Sequence, residues 1–381
     1  MRIENIKIKN FKAFRDVEIK DIPNFCVVVG ANGTGKSTLF EIFSFIKDAM
    51  TENVTLAVQK RGGFKELMSR DSSGNIEFEI TYSASFDSSL FSYFISISAD
   101  KENAIIDREI LKSITPNLDE KTEFDFSRGK GYAVCNNTNE EHILSGADNL
   151  AIKALAQFKK YSSITKFAEL ISDWHLSDID IKSMRSINNV GYAEHLSTSG
   201  ENLSLVTQYL FENHKSVFDK ILDKVKHKIP GINSVEAKVT EDGRVLLKFQ
   251  DGAFKDPFLS RYVSDGTIKM FAYLVLLNDP KPHQLLCIEE PENQLYPSLL
   301  MELAEEFREY SERGGQVFVS THSPDFLNAV ELDEVYWLIK KQGYTTVKRA
   351  ADNELIENMM NDGDKMGYLW KQGFFEELDP E

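Results

Sequence analysis

Phe25-Cys26-Val27-Val28-Val29-Gly30-Ala31-Asn32-Gly33-Thr34-Gly35-Lys36-Ser37-Thr38 joins an unbroken apolar run to a glycine-rich octet. The apolar run is rich in β-branched residues, which suits a central strand covered on both faces. The octet from Gly30 to Ser37 fits the P-loop pattern G-x-x-x-x-G-K-[ST]. Its glycines let the backbone curl, so that successive N–H groups point inward at phosphate oxygens. A helix starting near Lys36 adds the positive end of its dipole. Lys36 brings a cation for a phosphate chain, and Ser37 a hydroxyl for Mg²⁺. Leu39, Ile42, Phe43 and Ile46 fall at helical spacing, predicting a helix over 37–50. Strand, loop and helix in this order predict an α/β fold.

Three more segments read as parts of the same site. Leu285-Leu286-Cys287-Ile288 is an apolar strand ending in Glu289 and Glu290. A P-loop needs an acidic element on a neighbouring strand. Glu289 is the expected Mg²⁺ residue, and Glu290 is expected to orient or deprotonate water. Gln316-Val317-Phe318-Val319-Ser320 is a further strand, followed by Thr321-His322-Ser323-Pro324. Ligands sit at the carboxyl ends of parallel strands, so His322 is expected near a terminal phosphate. Ser264-Asp265-Gly266-Thr267 precedes an apolar-faced helix. Ser264 reads either as its N-cap or, with the Gly266 N–H, as an anion donor.

Between these segments the texture changes. Residues 75–84, 91–99, 104–111 and 122–126 predict strands of an antiparallel layer. Residues 149–172 and 200–228 read as mainly helical. Thr240-Glu241-Asp242-Gly243 signals a hairpin between strands at 234–239 and 244–249. The expected organisation is a core from 1–84 and 231–345, an insertion over 85–230 that is β and then helical, and a tail over 346–381.

The chain has 381 residues, 42% of them hydrophobic and 27% charged, as a packed core with a solvated surface requires. No apolar run is long enough to span a bilayer, and the N-terminus alternates like a strand. No membrane association is expected. Cys26, Cys135 and Cys287 show no metal-ligand spacing, and reduced cysteines suit a cytoplasmic protein. A net charge of −16 opposes phosphate backbones on average, which disfavours a generic nucleic-acid coat protein. Local basic groups such as Lys215, Lys220, Lys224, Lys226 and Lys228 leave room for nucleic acid, though a solvated helix face is the simpler reading.

Taken together, these motifs resemble the ABC-type P-loop ATPase heads of the RecF, SMC and OLD group. That group includes small prokaryotic ATPases associated with anti-phage defence. Ile6-Lys7-Ile8-Lys9-Asn10-Phe11-Lys12-Ala13-Phe14 is similar to the group's first strand and turn, and Glu289-Glu290-Pro291-Glu292-Asn293-Gln294-Leu295-Tyr296-Pro297 to its Walker B and D-loop. Ser320-Thr321-His322-Ser323-Pro324 resembles its switch-histidine motif, and Ser264-Asp265-Gly266-Thr267 stands in the place of the ABC signature. Glu289 stands where an aspartate is usual. The resemblance covers about 1–50 and 255–345.

The fold it implies is an ABC-type head: a mixed sheet core flanked by helices, an antiparallel β layer and a helical insertion. It implies ATP and Mg²⁺ as ligands, with Gly30 through Thr38 and Lys12 around the nucleotide. It also implies a homodimer that sandwiches ATP, in which Ser264 and Gly266 face the partner's Lys36 loop, and it allows a higher oligomer. The expected function is an ATP-hydrolysing dimeric switch in anti-phage defence that controls a separately encoded nuclease or toxin. The alternative is a RecF-like DNA clamp. Residues after His322 are expected to be too few for a nuclease domain. The aromatic stretch Gly367–Phe375 is expected either to pack on its own core or to dock the effector.

Overall fold

The computed structural model describes residues 2–83, 90–100, 103–115 and 119–375. The predicted strand end at Ala84 and the last residues of the tail lie outside the described residues. The chain divides into two compact units, the first formed by Met1–Trp174, Glu331–Asp364 and Leu369–Glu381, the second by His175–Val330 and Lys365–Tyr368. These divisions fall at other positions than the sequence-based boundaries after 84 and 230.

The first unit holds an antiparallel sheet of eight strands. In sheet order these are Phe14–Ile19, Arg2–Phe11, Ile76–Ser83, Leu90–Asp100, Asn103–Ile114, Glu120–Ser127, Lys130–Cys135 and Thr138–Ile143. Burial alternates along Ile76–Ser83, as a sheet with one covered face requires. The cover is the P-loop helix, Lys36–Thr51, which buries Leu39, Phe40, Ile42, Phe43, Phe45 and Ile46. Phe45 lies 6.4 Å from Phe11 and 5.9 Å from Phe78, ring centre to ring centre. A second helix, Ser162–Asp173, sets Phe167 edge-on to Tyr82 at 4.7 Å.

The apolar run before the P-loop is a strand, Phe25–Val29, with all its residues buried. It pairs in parallel with Val335–Lys341, which pairs antiparallel with Tyr344–Arg349. The aromatic tail packs on its own chain: Phe375 is buried and lies 5.4 Å from both Trp337 and Trp370.

The second unit contains three parallel strands in the order His175–Ser177, Leu285–Glu289, Gln316–Thr321. The signature helix, Asp265–Leu277, is buried along nearly its whole length. The predicted hairpin forms between Ile232–Val239 and Arg244–Asp251, with Gly243 at a φ of 75° in the turn. Helices Leu203–Asn213 and Lys215–Lys228 follow the expected helical stretch. On the second of these, Lys224 reaches Glu306 at 2.6 Å and Glu309 at 2.7 Å, and Lys228 reaches Glu302 at 2.5 Å. Two of the basic side chains offered for nucleic acid are thus engaged with the helix Pro297–Glu312.

Candidate functional site

In the first unit the loop after Val29 takes the shape the octet predicts. Gly33 and Gly35 have φ values of 82° and 104°, a left-handed conformation that side chains rarely adopt. A Cβ at Gly30 would collide with the Thr34 hydroxyl and come within 3.3 Å of the Leu338 carbonyl. Thr34 Oγ1 donates to the Ala31 carbonyl at 2.8 Å, and Thr345 Oγ1 donates to the Thr34 carbonyl at 2.7 Å. The curl is therefore pinned from inside the loop and from the strand Tyr344–Arg349. Lys340 Nζ adds a hydrogen bond to the Gly33 carbonyl at 3.1 Å.

Lys36 is buried, and its Nζ donates to the Gly30 carbonyl at 2.8 Å and the Ala31 carbonyl at 3.3 Å. Its ammonium is thus folded over the concave side of its own loop. The helix that starts at Lys36 has Gly35 as N-cap, no side-chain cap and no acidic residue in its first turn. Nothing in that turn repels an anion. Ser37 is exposed and Thr38 half-buried at the same helix end, and Asn32 and Gly33 are exposed in the loop. This donor set fits a phosphate chain. Lys12 forms an ion pair with Glu41 on the P-loop helix.

In the second unit Glu289 closes its strand and is exposed. Glu290 follows with a φ of 43°, a left-handed backbone that is costly for a glutamate. Its N–H donates to the Ser320 carbonyl at 2.9 Å, which fixes the turn to the neighbouring strand. His322 Nδ1 lies 3.1 Å from Glu290 Oε1, and Asn293 Nδ2 donates to Glu290 Oε2 at 3.1 Å. Both carboxylate oxygens are therefore oriented. Glu292 braces the histidine side, its Oε1 accepting from Thr321 Oγ1 at 2.7 Å and from the His322 N–H at 3.1 Å.

Ser264 is an N-cap in the structure: its Oγ accepts from the Thr267 N–H at 3.2 Å. Asp265, whose charge would oppose a phosphate, is drawn to Arg185 at 2.7 Å. Arg185 also donates to the Val263 carbonyl at 2.5 Å, so one guanidinium shapes the whole signature turn. Gly266 lies close to the D-loop segment, where an added Cβ would stand 3.1 Å from the Gln294 carbonyl.

Sequence reading missed Lys269. It is buried in the signature helix and donates to the Asn293 carbonyl at 2.8 Å, holding the residue that in turn holds Glu290. Burial pushes its pKa below the ordinary lysine range, while Glu292, Asp178 and Glu290 pull the other way. A lysine inside an otherwise apolar helix run was the available signal.

The P-loop and the braced double-glutamate strand end mark a P-loop ATPase. Residues 1–327 match the model of the AAA ATPase domain family, and the chain belongs to that family. The Old nuclease of Escherichia phage P2 is 22% identical over 206 residues, 42% of this chain. That match spans only 35% of the phage protein's own length. Among solved structures, an Smc head bound to the C-winged helix domain of ScpA superposes with a TM-score of 0.54 at 18% identity, covering 91% of this chain and 97% of that one. An Smc head with an extended coiled coil, bound to the C-terminal domain of ScpA derived from Pyrococcus furiosus, gives 0.51 at 14% identity, covering 95% and 99%. These likenesses show the fold, an SMC-type ATPase head of mixed α/β architecture. The ATPase domain carries nucleotide binding with it. No helix among the described residues is long and apolar enough to cross a membrane.

Proposed function

We propose that this protein is an ATP-hydrolysing switch that dimerises around ATP and controls a separately encoded effector, a nuclease or toxin, in anti-phage defence. The observation that carries the hydrolytic part is Glu290. A strained backbone and two side-chain partners, His322 and Asn293, aim its carboxylate. Such strain persists only where the surroundings over-determine it, and it clusters at functional sites.

The roles follow from the chemistry of each group. The N–H groups of Gly30 through Thr38 hold the phosphate chain, and Lys36 neutralises it. Ser37 and Glu289 are the residues that would hold Mg²⁺. The ion, when bound, neutralises charge on the phosphates. Glu290 orients water and accepts its proton. His322, within hydrogen-bond reach of Glu290, reports the state of the terminal phosphate. Ser264 and the Gly266 N–H serve the partner's nucleotide, an assignment that rests on the family resemblance. Lys12 stands beside the nucleotide, an assignment that likewise rests on the family resemblance.

The test is Glu290→Gln, which keeps size and shape but removes the base. ATP binding should persist, phosphate release should fall by at least about 100-fold, and the variant should accumulate as an ATP-dependent dimer. Phosphate release at the wild-type rate would remove Glu290 from catalysis. Native purification with mass measurement of every co-purifying chain then tests the effector: a bound nuclease or toxin supports the switch.

A further inference from the structure

The second unit gathers another set of side chains, from the segment around His195 and from the loop before the strand Leu285–Glu289. His195, Asp279 and His283 each offer one ligand atom, and these atoms lie within 4.8 Å of one another. The Asp279 side chain is 5% exposed, a buried carboxylate. Its Oδ1 accepts the Lys281 N–H at 2.8 Å, which turns Oδ2 toward His195 Nδ1, 2.7 Å away. His283 comes from the same short loop, Asp279-Pro280-Lys281-Pro282-His283, whose two prolines restrict the backbone. Its ring is stacked on the buried His175 at 4.8 Å with an interplanar angle of 17°. The cluster is thus built from a carboxylate oriented by a backbone N–H and an imidazole held flat by stacking. A half-exposed imidazole, His195, forms its outer side.

From this geometry we infer a Zn²⁺ site formed by His195, Asp279 and His283. Two imidazoles and one carboxylate are a donor set typical of zinc, with water in the fourth position. Zinc bonds of ~2.0–2.1 Å place tetrahedral ligand atoms roughly 3.3 Å apart. His195 Nδ1 and Asp279 Oδ2, in hydrogen-bond contact at 2.7 Å, would part by roughly 0.6 Å, and ligand atoms as far as 4.8 Å apart would close by about 1.5 Å. The Lys281 N–H behind Asp279 supplies the outer-shell support that orients metal ligands.

The site would tie together three pieces of the second unit. Asp279 follows the end of the signature helix Asp265–Leu277, and His283 precedes the strand Leu285–Glu289. His195 lies in the segment that also carries Arg185, the residue gripping Val263 and Asp265. Zinc there would stiffen the support of the signature turn.

The test uses the full-length, tag-free chain, stripped with chelator and titrated with Zn²⁺ by calorimetry, and with Co²⁺ by visible absorption. About one ion per chain is expected, with the intense d–d bands of a tetrahedral Co²⁺ site. Zinc should raise the melting temperature of the wild type, because it binds the native state only. His195→Ala and Asp279→Asn should each weaken binding at least tenfold and abolish the thermal shift. Circular dichroism checks that both variants are folded, and His195→Ala is the safer one because its side chain is on the surface. Uptake well below one ion per chain by the wild type, or unchanged binding by a folded His195→Ala, overturns the assignment. Neither readout involves ATP, so the result is independent of the proposed hydrolysis.

Discussion

Glu290 and Lys269 show how much a single residue's surroundings say. Glu290 is held in a conformation that costs about 1–3 kcal/mol, and its neighbours His322 and Asn293 hold both its oxygens. Lys269 anchors Asn293 from below. Glu109 in the first unit is the contrasting case, a buried carboxyl with a structural task. It accepts the Ala151 and Ile152 N–H groups at 2.5 and 3.0 Å, capping the helix Ala151–Leu155, and the Tyr93 hydroxyl at 3.0 Å. Burial pushes its pKa up to about 7, although all three hydrogen bonds favour the ionised form. The folded state therefore binds this proton more tightly than the unfolded chain does. Stability from this group is complete below about pH 4.5 and declines as pH rises to about 7. Glu109→Gln removes the ionisation. Urea melts at pH 5 and pH 7.5 should show the wild type losing of the order of a few kcal/mol relative to the variant over that interval. Parallel pH profiles for the two proteins would mean that Glu109 is ionised throughout.

The signature helix poses its question at the scale of an element, because Ser264 is already a good N-cap. If capping is its whole task, Ser264→Ala should cost about 1 kcal/mol and leave ATP turnover alone. The proposed dimer demands more. Ser264→Asp preserves a cap of equal quality but sets a negative charge where the partner's phosphate should arrive. It should melt like the wild type, bind ATP, and neither dimerise nor hydrolyse normally. An Asp variant that turns over ATP at the wild-type rate would confine Ser264 to capping. The same helix marks how far the sequence could be read. The P-loop strand, its helix, the Asp-Gly hairpin and the Ser264 cap were legible, because each depends on residues adjacent in the chain. The strands Lys130–Cys135 and Thr138–Ile143 were missed, the first being short and without alternation and the second polar. Their turn was visible in Asn136-Asn137, both left-handed at φ 48° and 62°. His175–Ser177 is too short for any periodicity. Lys269, Arg185 and the His195–Asp279–His283 cluster join residues far apart in the chain, and no spacing rule finds such pairs. In the tail, Leu369 and Phe375 are buried while Tyr368 is exposed.

For the whole molecule, charge separates the two functional readings. Each chain carries −16, so two chains brought together repel over their surfaces. The proposed dimer is held by short contacts between phosphates, Lys36 loops and signature turns, which are enclosed and weakly screened. The repulsion acts through solvent and is screened over a Debye length of about 10 Å at 0.1 M salt. Added salt should therefore leave the attraction and weaken the repulsion. A DNA clamp behaves in the opposite way, because salt erases the counterion release that drives its binding. The experiment is light scattering of Glu290→Gln with ATP across about 50 to 300 mM salt, beside fluorescence anisotropy with labelled duplex DNA. The switch predicts a dimer fraction that holds or rises with salt, and DNA binding that is weak at every concentration. Tight duplex binding that falls steeply with salt, together with a dimer that forms only on DNA, would assign the chain to the clamp class instead. The engagement of Lys224 and Lys228 by acidic residues of Pro297–Glu312 favours the first outcome, since it removes two cations that a DNA face would need.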